Sequence, residues 1–314
     1  MTLVLSESQV ESLLDMKQVV ASVEEAFRRE GKGEAENVMR TRSRAPGSVL
    51  NVMHANLPYL RRGGVKAYMS SKSGTRFVLV LFDSADSTPL AVMGADIIGR
   101  FRTGAASGVA TKHLFGKPSG TLAVFGSGKQ ALTQVLAADA VMDLEEVRVW
   151  SPTARHREGF AARLSARGFR ASACETVEKA VEGAQVASTI TSSAEPFLTD
   201  RSVGSLSHAN VCGGNVPGHS ELTPEAVGKF DTVAVDDLPQ AKVEYGELIQ
   251  AAAAGTFSWD SAVRLCDIVA GGSKPRGRTL FKSGGAALED VAVADLVYGR
   301  ALASGAACPD IELG

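Results

Sequence analysis

The chain has 314 residues, with 33 lysines and arginines against 35 aspartates and glutamates, which gives a formal net charge of −2. Hydrophobic residues make up 45% of the chain and charged residues 22%, as in globular proteins, so intrinsic disorder and a collagen-like fold are excluded. The near-neutral balance argues against a nucleic-acid-binding protein, and no apolar run reaches the roughly 18–20 residues that cross a bilayer. A chain of this length is expected to form about two domains.

The cysteines and histidines favour a metal-free protein of a reducing compartment, the cytoplasm. The cysteines are widely scattered, and we expect buried thiols at Cys174, Cys212, Cys266 and Cys308 rather than disulfides. The five histidines show neither H-x-H nor H-x-x-x-H spacing, so no metal site is predicted. The N-terminus has no basic residue before Lys17, unlike a secretory signal.

The first part of the chain predicts helix followed by a hairpin-rich sheet. The first 30 residues are predicted to be helical, with a capping box formed by Ser6 and Gln9 and an end at Gly31. Turn-separated apolar segments predict strands at residues 49–53, 65–69, 77–82 and 90–93. Small residues between 99 and 114 predict a helix that approaches its neighbours closely. This part is therefore expected to be α+β.

Strands and helices alternate after a predicted linker at residues 116–120. The predicted strands are residues 122–125, 147–150, 186–190, 209–211 and 232–235. The predicted helices are residues 130–140, 154–167, 177–182 and, at the end, 288–303. Such alternation indicates a parallel sheet with right-handed crossovers, an α/β fold.

A glycine loop joins the first of these strands to its helix. Residues 122–131 read Leu-Ala-Val-Phe-Gly-Ser-Gly-Lys-Gln-Ala, which matches G-x-G-x-x-A. Gly126 permits the tight turn, Gly128 lets the backbone approach a pyrophosphate, and Ala131 keeps the helix close to the strand. The motif alone is common, but the strand before it and the helix after it favour a nucleotide site over a simple turn.

The end of the second strand predicts which coenzyme binds. An acidic residue there would accept hydrogen bonds from the ribose of NAD, but residues 150–157 contain no carboxylate. Ser151, Thr153 and Arg155 offer two hydroxyls and a guanidinium to the 2′-phosphate of NADP. We therefore expect a preference for NADP(H), with NAD(H) as the alternative. In another interpretation, Arg155 and Arg157 are simply solvated residues in the first turn of a helix.

Three cations of the first part suggest a site for an anionic substrate. Arg40, Arg42 and Arg44 alternate, so they share a face if extended, although a solvated sheet edge is the other interpretation. Lys66 has apolar neighbours, so we expect it to be half-buried and to need an anion. Arg102 precedes the small-residue helix and is expected near its N-terminus. Arg40, Lys66 and Arg102 have no obvious carboxylate partners nearby, which suits a carboxylate substrate.

Six motifs, in this order along the chain, resemble the ornithine cyclodeaminase/μ-crystallin family, which includes cyclodeaminases, alanine dehydrogenases and ketimine reductases. The motifs are Arg40-Thr41 with residues 53–55, residues 64–66, residues 102–107 (Arg-Thr-Gly-Ala-Ala-Ser) running on to residues 110–114, residues 126–131, residues 213–222, and residues 281–290 (Phe-Lys-Ser-Gly-Gly-Ala-Ala-Leu-Glu-Asp). The resemblance covers nearly the whole chain.

The resemblance implies a Rossmann-type, doubly wound α/β domain and an α+β substrate and dimerisation domain completed by the C-terminal helix. The substrate domain would comprise residues 1–115 and 290–314, and the Rossmann domain residues 116–289. The substrate-domain sheet would be mixed, with about six strands, and would pair two subunits into a homodimer. We expect a small amino-acid-derived carboxylate as the only further partner, with no nucleic acid and no membrane.

The resemblance also implies roles for individual residues. Arg40, Lys66 and Arg102 would grip the substrate carboxylate. The coenzyme-binding residues would be Gly126, Ser127, Gly128 and Gln130 at the pyrophosphate, Ser151, Thr153 and Arg155 at the ribose, Thr191 and Ser192 on the adenine side, and Ser283 and Gly285 near the nicotinamide, together with Thr103.

One position departs from the family pattern. Asn215 stands where cyclodeaminases and alanine dehydrogenases of the family carry an aspartate that does acid–base work. An amide does not exchange protons near neutral pH, whereas hydride transfer to a preformed, protonated imine needs less help. The chain is therefore expected to act as a ketimine reductase on 1-pyrroline- or 1-piperideine-2-carboxylate. The alternatives are ornithine cyclodeamination, in which water or Lys66 replaces the aspartate, alanine dehydrogenase-like reductive amination, and binding of NADPH and a small ligand without turnover.

Overall fold

The computed structural model describes residues 2–304 and 310–312, and the chain divides into two compact units. The first unit holds the described residues up to Arg102 and from Gly285 onward, and the second holds residues 103–284. These boundaries differ from the predicted ones, which were after residue 115 and before residue 290. Cys308 lies outside the described residues.

The described residues of the first unit form seven strands, three complete helices and the first part of a fourth. The strands are β1 (Thr2–Leu5), β2 (Glu36–Ala45), β3 (Ser48–Leu57), β4 (Arg62–Ser71), β5 (Gly74–Asp83), β6 (Pro89–Gly94) and β15 (Asp310–Ile311). The helices are α1 (Glu7–Ser12), α2 (Met16–Gly31), α3 (Asp96–Ala110), which continues into the second unit, and α11 (Ala287–Ser304). The predicted capping box of Ser6 and Gln9 is present, and α2 ends at Gly31 as expected.

The strands of this unit form one mixed sheet in the order β15-β1-β6-β5-β4-β3-β2. Strands β1 and β6 are parallel and the other neighbouring pairs are antiparallel. The helical prediction for the first 30 residues was wrong at residues 2–5, which form β1. A short apolar run fits either structure, and β1 is fixed as a strand by β6, which lies more than 80 residues later in the sequence.

The buried face of this sheet packs against α11, which returns from the far end of the chain. Lys66 lies in β4 between Met53 of β3 and Leu79 of β5, and all three are almost fully buried. The sequence therefore places a lysine in the middle of an apolar sheet face.

Helix α3 begins at Asp96, three residues before the predicted start. The backbone N–H groups of Asp96 and Ile97 donate to the Glu7 carboxylate of α1, at 2.8 and 3.0 Å. These bonds satisfy amides that a helix leaves open at its first turn. Because the capping group comes from a distant part of the chain, the local pattern gave no sign of it. Arg102 consequently lies inside the helix and not at its N-terminus, which corrects the prediction.

The second unit alternates strands and helices. Its strands are β7 (Ser119–Phe125), β8 (Asp143–Trp150), β9 (Ala171–Ala173), β10 (Val186–Thr189), β11 (His208–Val211), β12 (Thr232–Val235), β13 (Val263–Arg264) and β14 (Thr279–Lys282). Its helices are α4 (Ala131–Asp139), α5 (Ala154–Ser165), α6 (Val177–Val181), α7 (Pro224–Val227), α8 (Leu238–Glu244), α9 (Gly246–Ala253) and α10 (Leu265–Val269), besides a π-helical turn at Thr111–Phe115.

All neighbouring strands of the second sheet are parallel, in the order β13-β12-β14-β11-β10-β7-β8-β9. The chain starts in the middle at β7, winds outward through β8 and β9, and then returns to begin the other half at β10. This is the predicted Rossmann-type, doubly wound fold, with its switch point between β7 and β10. The sequence analysis missed β9, β13, β14 and helices α7 to α10.

Cys174, Cys212 and Cys266 are free, buried thiols, as predicted. Over residues 2–304 and 310–312, no cluster of three or more His, Cys, Asp or Glu side chains could hold a metal ion. In the same part of the chain, no helix is both long and apolar enough to cross a membrane.

Candidate functional site

A cavity of about 410 Å³ opens at the carboxyl ends of β7, β8 and β10 in the second unit. It lies at the switch point of the sheet, where open α/β sheets bind their ligands. Seven predicted coenzyme residues line it, namely Gly126, Ser127, Gly128, Ser151, Thr153, Thr191 and Ser192. The fold thus brings three predicted groups, separated by up to 66 positions in sequence, around one cavity.

Gly126 makes the tight turn that the motif predicts. Its φ of +111° lies in a region that favours glycine, and a Cβ added there would approach the Ile190 carbonyl oxygen to 2.7 Å. At Gly128, an added Cβ would meet nothing within 4 Å, so this side of the turn is open. The first glycine therefore serves backbone conformation and packing against the end of β10, and the second leaves room for a ligand.

The N-terminus of α4 follows this turn directly. Gln130 is its N-cap residue, and the Gln130 side chain makes no capping hydrogen bond. Its Oε1 atom is buried and has no hydrogen-bond partner in the described structure. An uncapped helix N-terminus beside a cavity is suited to a pyrophosphate, because the first-turn N–H groups and the helix dipole both attract an anion.

The end of β8 carries the polar residues predicted for the ribose. The Ser127 hydroxyl donates to the Ser151 hydroxyl at 3.1 Å, which links the glycine turn to this strand end. Arg157 donates to the backbone carbonyl of Ser151 at 3.2 Å, so it holds the loop rather than standing free in solvent. Arg155 is exposed and outside the cavity lining, while the neighbouring His156 lines it.

Lys66 is the centre of a buried charge cluster in the first unit. Its ammonium donates to Asp290 Oδ2 of α11 at 2.5 Å, and both residues are almost fully buried. Burial lowers the pKa of Lys66 to about 8, against the attraction of Asp290; the positive charges of Arg102 and Arg40 also lower it. Lys66 is thus more deeply buried than predicted.

Arg102 and Arg40 belong to the same cluster. The Arg102 guanidinium pairs with Glu289 Oε2 at 3.1 Å and with Asp290 Oδ1 at 3.2 Å. Arg40 donates to the Gly285 carbonyl at 3.3 Å. A Cβ on Gly285, whose φ is +86°, would collide with the Arg102 guanidinium. The close packing of the guanidinium against the backbone therefore requires glycine at this position.

These contacts correct the expectation that the three cations lack carboxylate partners. Glu289 and Asp290 supply them from the first turn of α11, nearly 190 positions after Arg102. Three cations still face two carboxylates, so these five groups carry a formal excess of one positive charge. Arg42 instead donates to Asn51 at 3.1 Å, and Arg44 is exposed, as the solvated-edge interpretation expects.

Three further predicted residues, Thr103, Asn215 and Ser283, belong to the second unit. In the second unit, Ser283 donates to Asp236 Oδ2 at 2.8 Å, and Thr103 is buried in α3. Asn215 is half-buried in the loop after β11. The sequence analysis missed the carboxylates Glu289, Asp290, Glu221 and Asp236 and the cavity-lining rings of Trp150 and Phe197. The adjacent Glu289 and Asp290, in the first turn of a largely apolar helix, were the available signal for a buried ion pair.

The comparison with known protein families shows to which family this chain belongs. The profile of the ornithine cyclodeaminase/mu-crystallin family matches residues 1–305. The chain belongs to this family. One relative that aligns over nearly its full length is the alanine dehydrogenase of Archaeoglobus fulgidus. It is 34% identical over 316 aligned residues, which cover 96% of this chain and 95% of the relative. The resemblance inferred from the motifs is therefore confirmed.

Two solved structures share the fold over nearly all of both chains. The Δ1-pyrroline-2-carboxylate reductase of Thermococcus litoralis, in complex with NADH and L-proline, superposes with a TM-score of 0.91 at 30% identity and covers 99% of this chain and 100% of its own. An archaeal alanine dehydrogenase dimer with bound NAD has a TM-score of 0.91 at 30% identity, with 100% and 99% coverage. The family fold thus accommodates imine reduction and amino-acid dehydrogenation.

We predict that Asp290→Asn destabilises the protein far more than Asp295→Asn on the same helix. Losing the buried Asp290 charge leaves Lys66 and Arg102 undercompensated, which costs about 3–5 kcal/mol. Asp295 pairs with Arg62 at 2.7 Å, but both side chains are partly exposed, so its loss costs less than about 1 kcal/mol. Urea unfolding measures both changes, and equal losses would contradict the prediction.

Proposed function

We propose that this protein uses a nicotinamide coenzyme, preferably NADPH, to reduce a small cyclic imine carboxylate to the corresponding L-amino acid. The substrate class is 1-pyrroline-2-carboxylate or 1-piperideine-2-carboxylate. The observation that carries the proposal is the buried cluster that gathers Arg40, Lys66 and Arg102 around Glu289 and Asp290. These five groups carry a formal excess of one positive charge, which one substrate carboxylate would balance.

The residues of the coenzyme cavity fit a dinucleotide. The Gly126 turn and the open N-terminus of α4 suit its pyrophosphate, and Ser151 and Thr153 suit its ribose. When bound, the coenzyme supplies the hydride that adds to the imine carbon, while a proton is carried by the nitrogen. Arg40, Lys66 and Arg102 would bind and orient the substrate carboxylate, so catalysis would come chiefly from positioning and from fixed positive charge.

Asn215 favours reduction over deamination. Its amide neither takes nor gives a proton near neutral pH, so it cannot act as the general base that removal of ammonia requires. A cyclic imine that arrives protonated needs no such base. The loop position of Asn215, half-buried at the end of β11, allows it to donate or accept a hydrogen bond and so to orient a substrate.

A second candidate is ornithine cyclodeamination, favoured by one specific observation. The pKa of Lys66 is lowered to about 8, so this side chain can exchange protons near neutral pH and could replace the missing aspartate. Assays of the purified protein distinguish these activities and reductive amination. Cyclodeamination releases ammonia from ornithine with catalytic NAD⁺, imine reduction consumes one NADPH per imine, and reductive amination of a 2-oxo acid requires added ammonia.

We predict that purified protein oxidises NADPH with 1-pyrroline- or 1-piperideine-2-carboxylate, and that Lys66→Met abolishes this turnover. The substitution removes a buried charge of the carboxylate site but leaves the coenzyme cavity of the other unit intact, so NADPH binding should not change. Coenzyme oxidation and fluorescence titration measure the two properties. Turnover of Lys66→Met at the wild-type rate would refute the carboxylate site.

The Lys66→Arg variant provides the matched control. Protonated Lys66 is the form that binds an anion, so wild-type kcat/KM should fall as pH rises through about 8. Arginine stays charged over this range, so the variant should lack that limb of the profile. An unchanged profile in Lys66→Arg would assign the limb to another group. Binding of pyrrole-2-carboxylate, whose ring nitrogen does not titrate here, removes the contribution of the imine.

The coenzyme preference can be tested at the end of β8. We predict a higher kcat/KM with NADPH than with NADH, and a loss of about tenfold with NADPH alone in Arg155→Ala, as expected for one charge-assisted bond to the 2′-phosphate. Arg163→Ala is the control, because Arg163 is exposed on the same helix and packs on Phe160. Comparable efficiency with NADH would overturn the NADPH preference.

We also propose that the protein is a homodimer that pairs through the outer face of the first sheet. This face, opposite to Lys66, exposes Leu50, Met69 and Val78, and Leu50 and Met69 are direct neighbours in register. Adjacent exposed apolar side chains mark an interaction surface. Light scattering should give the mass of two chains for the wild type and of one for Val78→Lys, with Val243→Lys of the second unit as control. A monomeric wild type would refute the dimer.

A further inference from the structure

Glu221 is a fully buried carboxylate that accepts four hydrogen bonds at the carboxyl ends of two strands. Its Oε1 atom accepts from the backbone N–H and the hydroxyl of Thr191, at 2.8 and 2.6 Å. Its Oε2 atom accepts from the Thr189 hydroxyl at 2.5 Å and from the Gly213 N–H at 2.9 Å. One side chain therefore connects the loop after β10 to the loop after β11.

Both of these loops carry residues to which the proposed function gives a role. Thr191 lines the coenzyme cavity, and Gly213 precedes the Asn215 position by two residues. The fit around the carboxylate is close, because a Cβ on Gly213 would collide with the Glu221 carboxylate. Any displacement of Glu221 must therefore move a wall of the coenzyme cavity and the backbone that presents Asn215.

Glu221 is held in turn by Lys282 and Glu247. The Glu221 backbone N–H donates to Glu247 at 2.9 Å, and Glu247 pairs with the Lys282 ammonium at 3.0 Å. Lys282 also donates to the Gly214 carbonyl at 3.0 Å. We call Glu221, Glu247 and Lys282 the Glu221 network. It joins the ends of β10, β11 and β14, and all three residues are buried.

Each oxygen of Glu221 must accept a hydrogen bond, because the backbone N–H of Thr191 at Oε1 and that of Gly213 at Oε2 can only donate. Burial raises the pKa of Glu221, while Lys282 and the donors from Thr189 and Thr191 oppose this rise. A neutral amide at this position would turn one acceptor oxygen into a donor. The NH₂ group of the amide would then face either the two donors of Thr191 or the donors of Thr189 and Gly213. One of the two loops would therefore lose its anchor.

We propose that Glu221 is a positioning residue that fixes the Thr191 wall of the coenzyme cavity and the Asn215 loop together. This inference rests on the proposed coenzyme site. Glu221 touches neither ligand in this proposal and acts only through the two loops. Fixing both loops with one rigid carboxylate sets the cavity before the coenzyme binds, so less ordering is needed upon binding.

The test is the dissociation constant of NADPH for Glu221→Gln, measured by fluorescence titration of the purified full chain. The loss of one anchored loop should raise the dissociation constant about tenfold, as for the loss of a hydrogen bond to a charged group. Glu146→Gln is the matched control. Glu146 lies in β8 of the same unit, accepts from Ser172 at 3.0 Å and Arg148 at 3.1 Å, and lies outside the cavity lining. It should leave NADPH affinity unchanged.

A second variant covers the case in which Glu221→Gln does not fold. Thr189→Val keeps the shape of a buried side chain but removes one donor to Oε2, and Thr189 is not among the cavity-lining residues. It should raise the NADPH dissociation constant about two- to threefold, a loss of about half a kcal/mol from one weakened anchor. Unchanged affinity in a folded Glu221→Gln, or in Thr189→Val where the former does not fold, overturns the inference.

The outcomes also separate this inference from the proposed function. A wild type that binds NADPH without reducing any imine refutes the reaction but leaves the positioning role of Glu221 to be decided by the variants. A wild type that binds neither NADPH nor NADH overturns both proposals. Tenfold weaker NADPH binding by a folded Glu221→Gln variant supports the positioning role, whereas a purely structural role predicts a lower unfolding midpoint with unchanged NADPH affinity.

Discussion

The first unit depends on one buried interaction, the pairing of Lys66 and Arg102 with Asp290 and Glu289. A lysine in the middle of an apolar sheet face is strongly disfavoured unless an anion meets it there. The anion comes from the first turn of α11, so the C-terminal helix must pack on the N-terminal sheet. The same requirement explains why residues from the two ends of the chain form one compact unit.

The two units satisfy buried charge in opposite ways. In the first, three cations face two carboxylates, and the formal excess is positive. In the second, Lys282 pairs with Glu247 beside Glu221, and Glu221 is met by backbone N–H groups and threonine hydroxyls. Hydrogen-bond donors that the fold already fixes can satisfy a carboxylate, so the second cluster needs no external ion. In the proposed function, the carboxylate of a substrate joins the first cluster.

Local sequence patterns predicted much of the fold and part of the candidate site. The alternation of strands and helices after residue 119 predicted the parallel sheet. The apolar residues of each segment recur at the spacing typical of a helix or a strand, so each segment could be assigned from its own sequence. The glycine turn could also be predicted from the sequence, because Gly126 adopts a φ of +111° that few other residues tolerate. Signals of this kind depend on neighbours within a few residues. Short apolar segments such as β1 and β14 lack them, and these were mistaken or missed.

The sequence by itself determined the class of the fold, the position of the dinucleotide turn and the cations Arg40, Lys66 and Arg102 as residues of special chemistry. Only the tertiary structure decided what those cations meet. Glu289 and Asp290 lie more than 180 positions beyond Arg102, and Glu7 caps a helix about 90 positions away. The partner of a buried charge is chosen by three-dimensional proximity and by the low polarity around it, and neither is encoded in the order of adjacent residues.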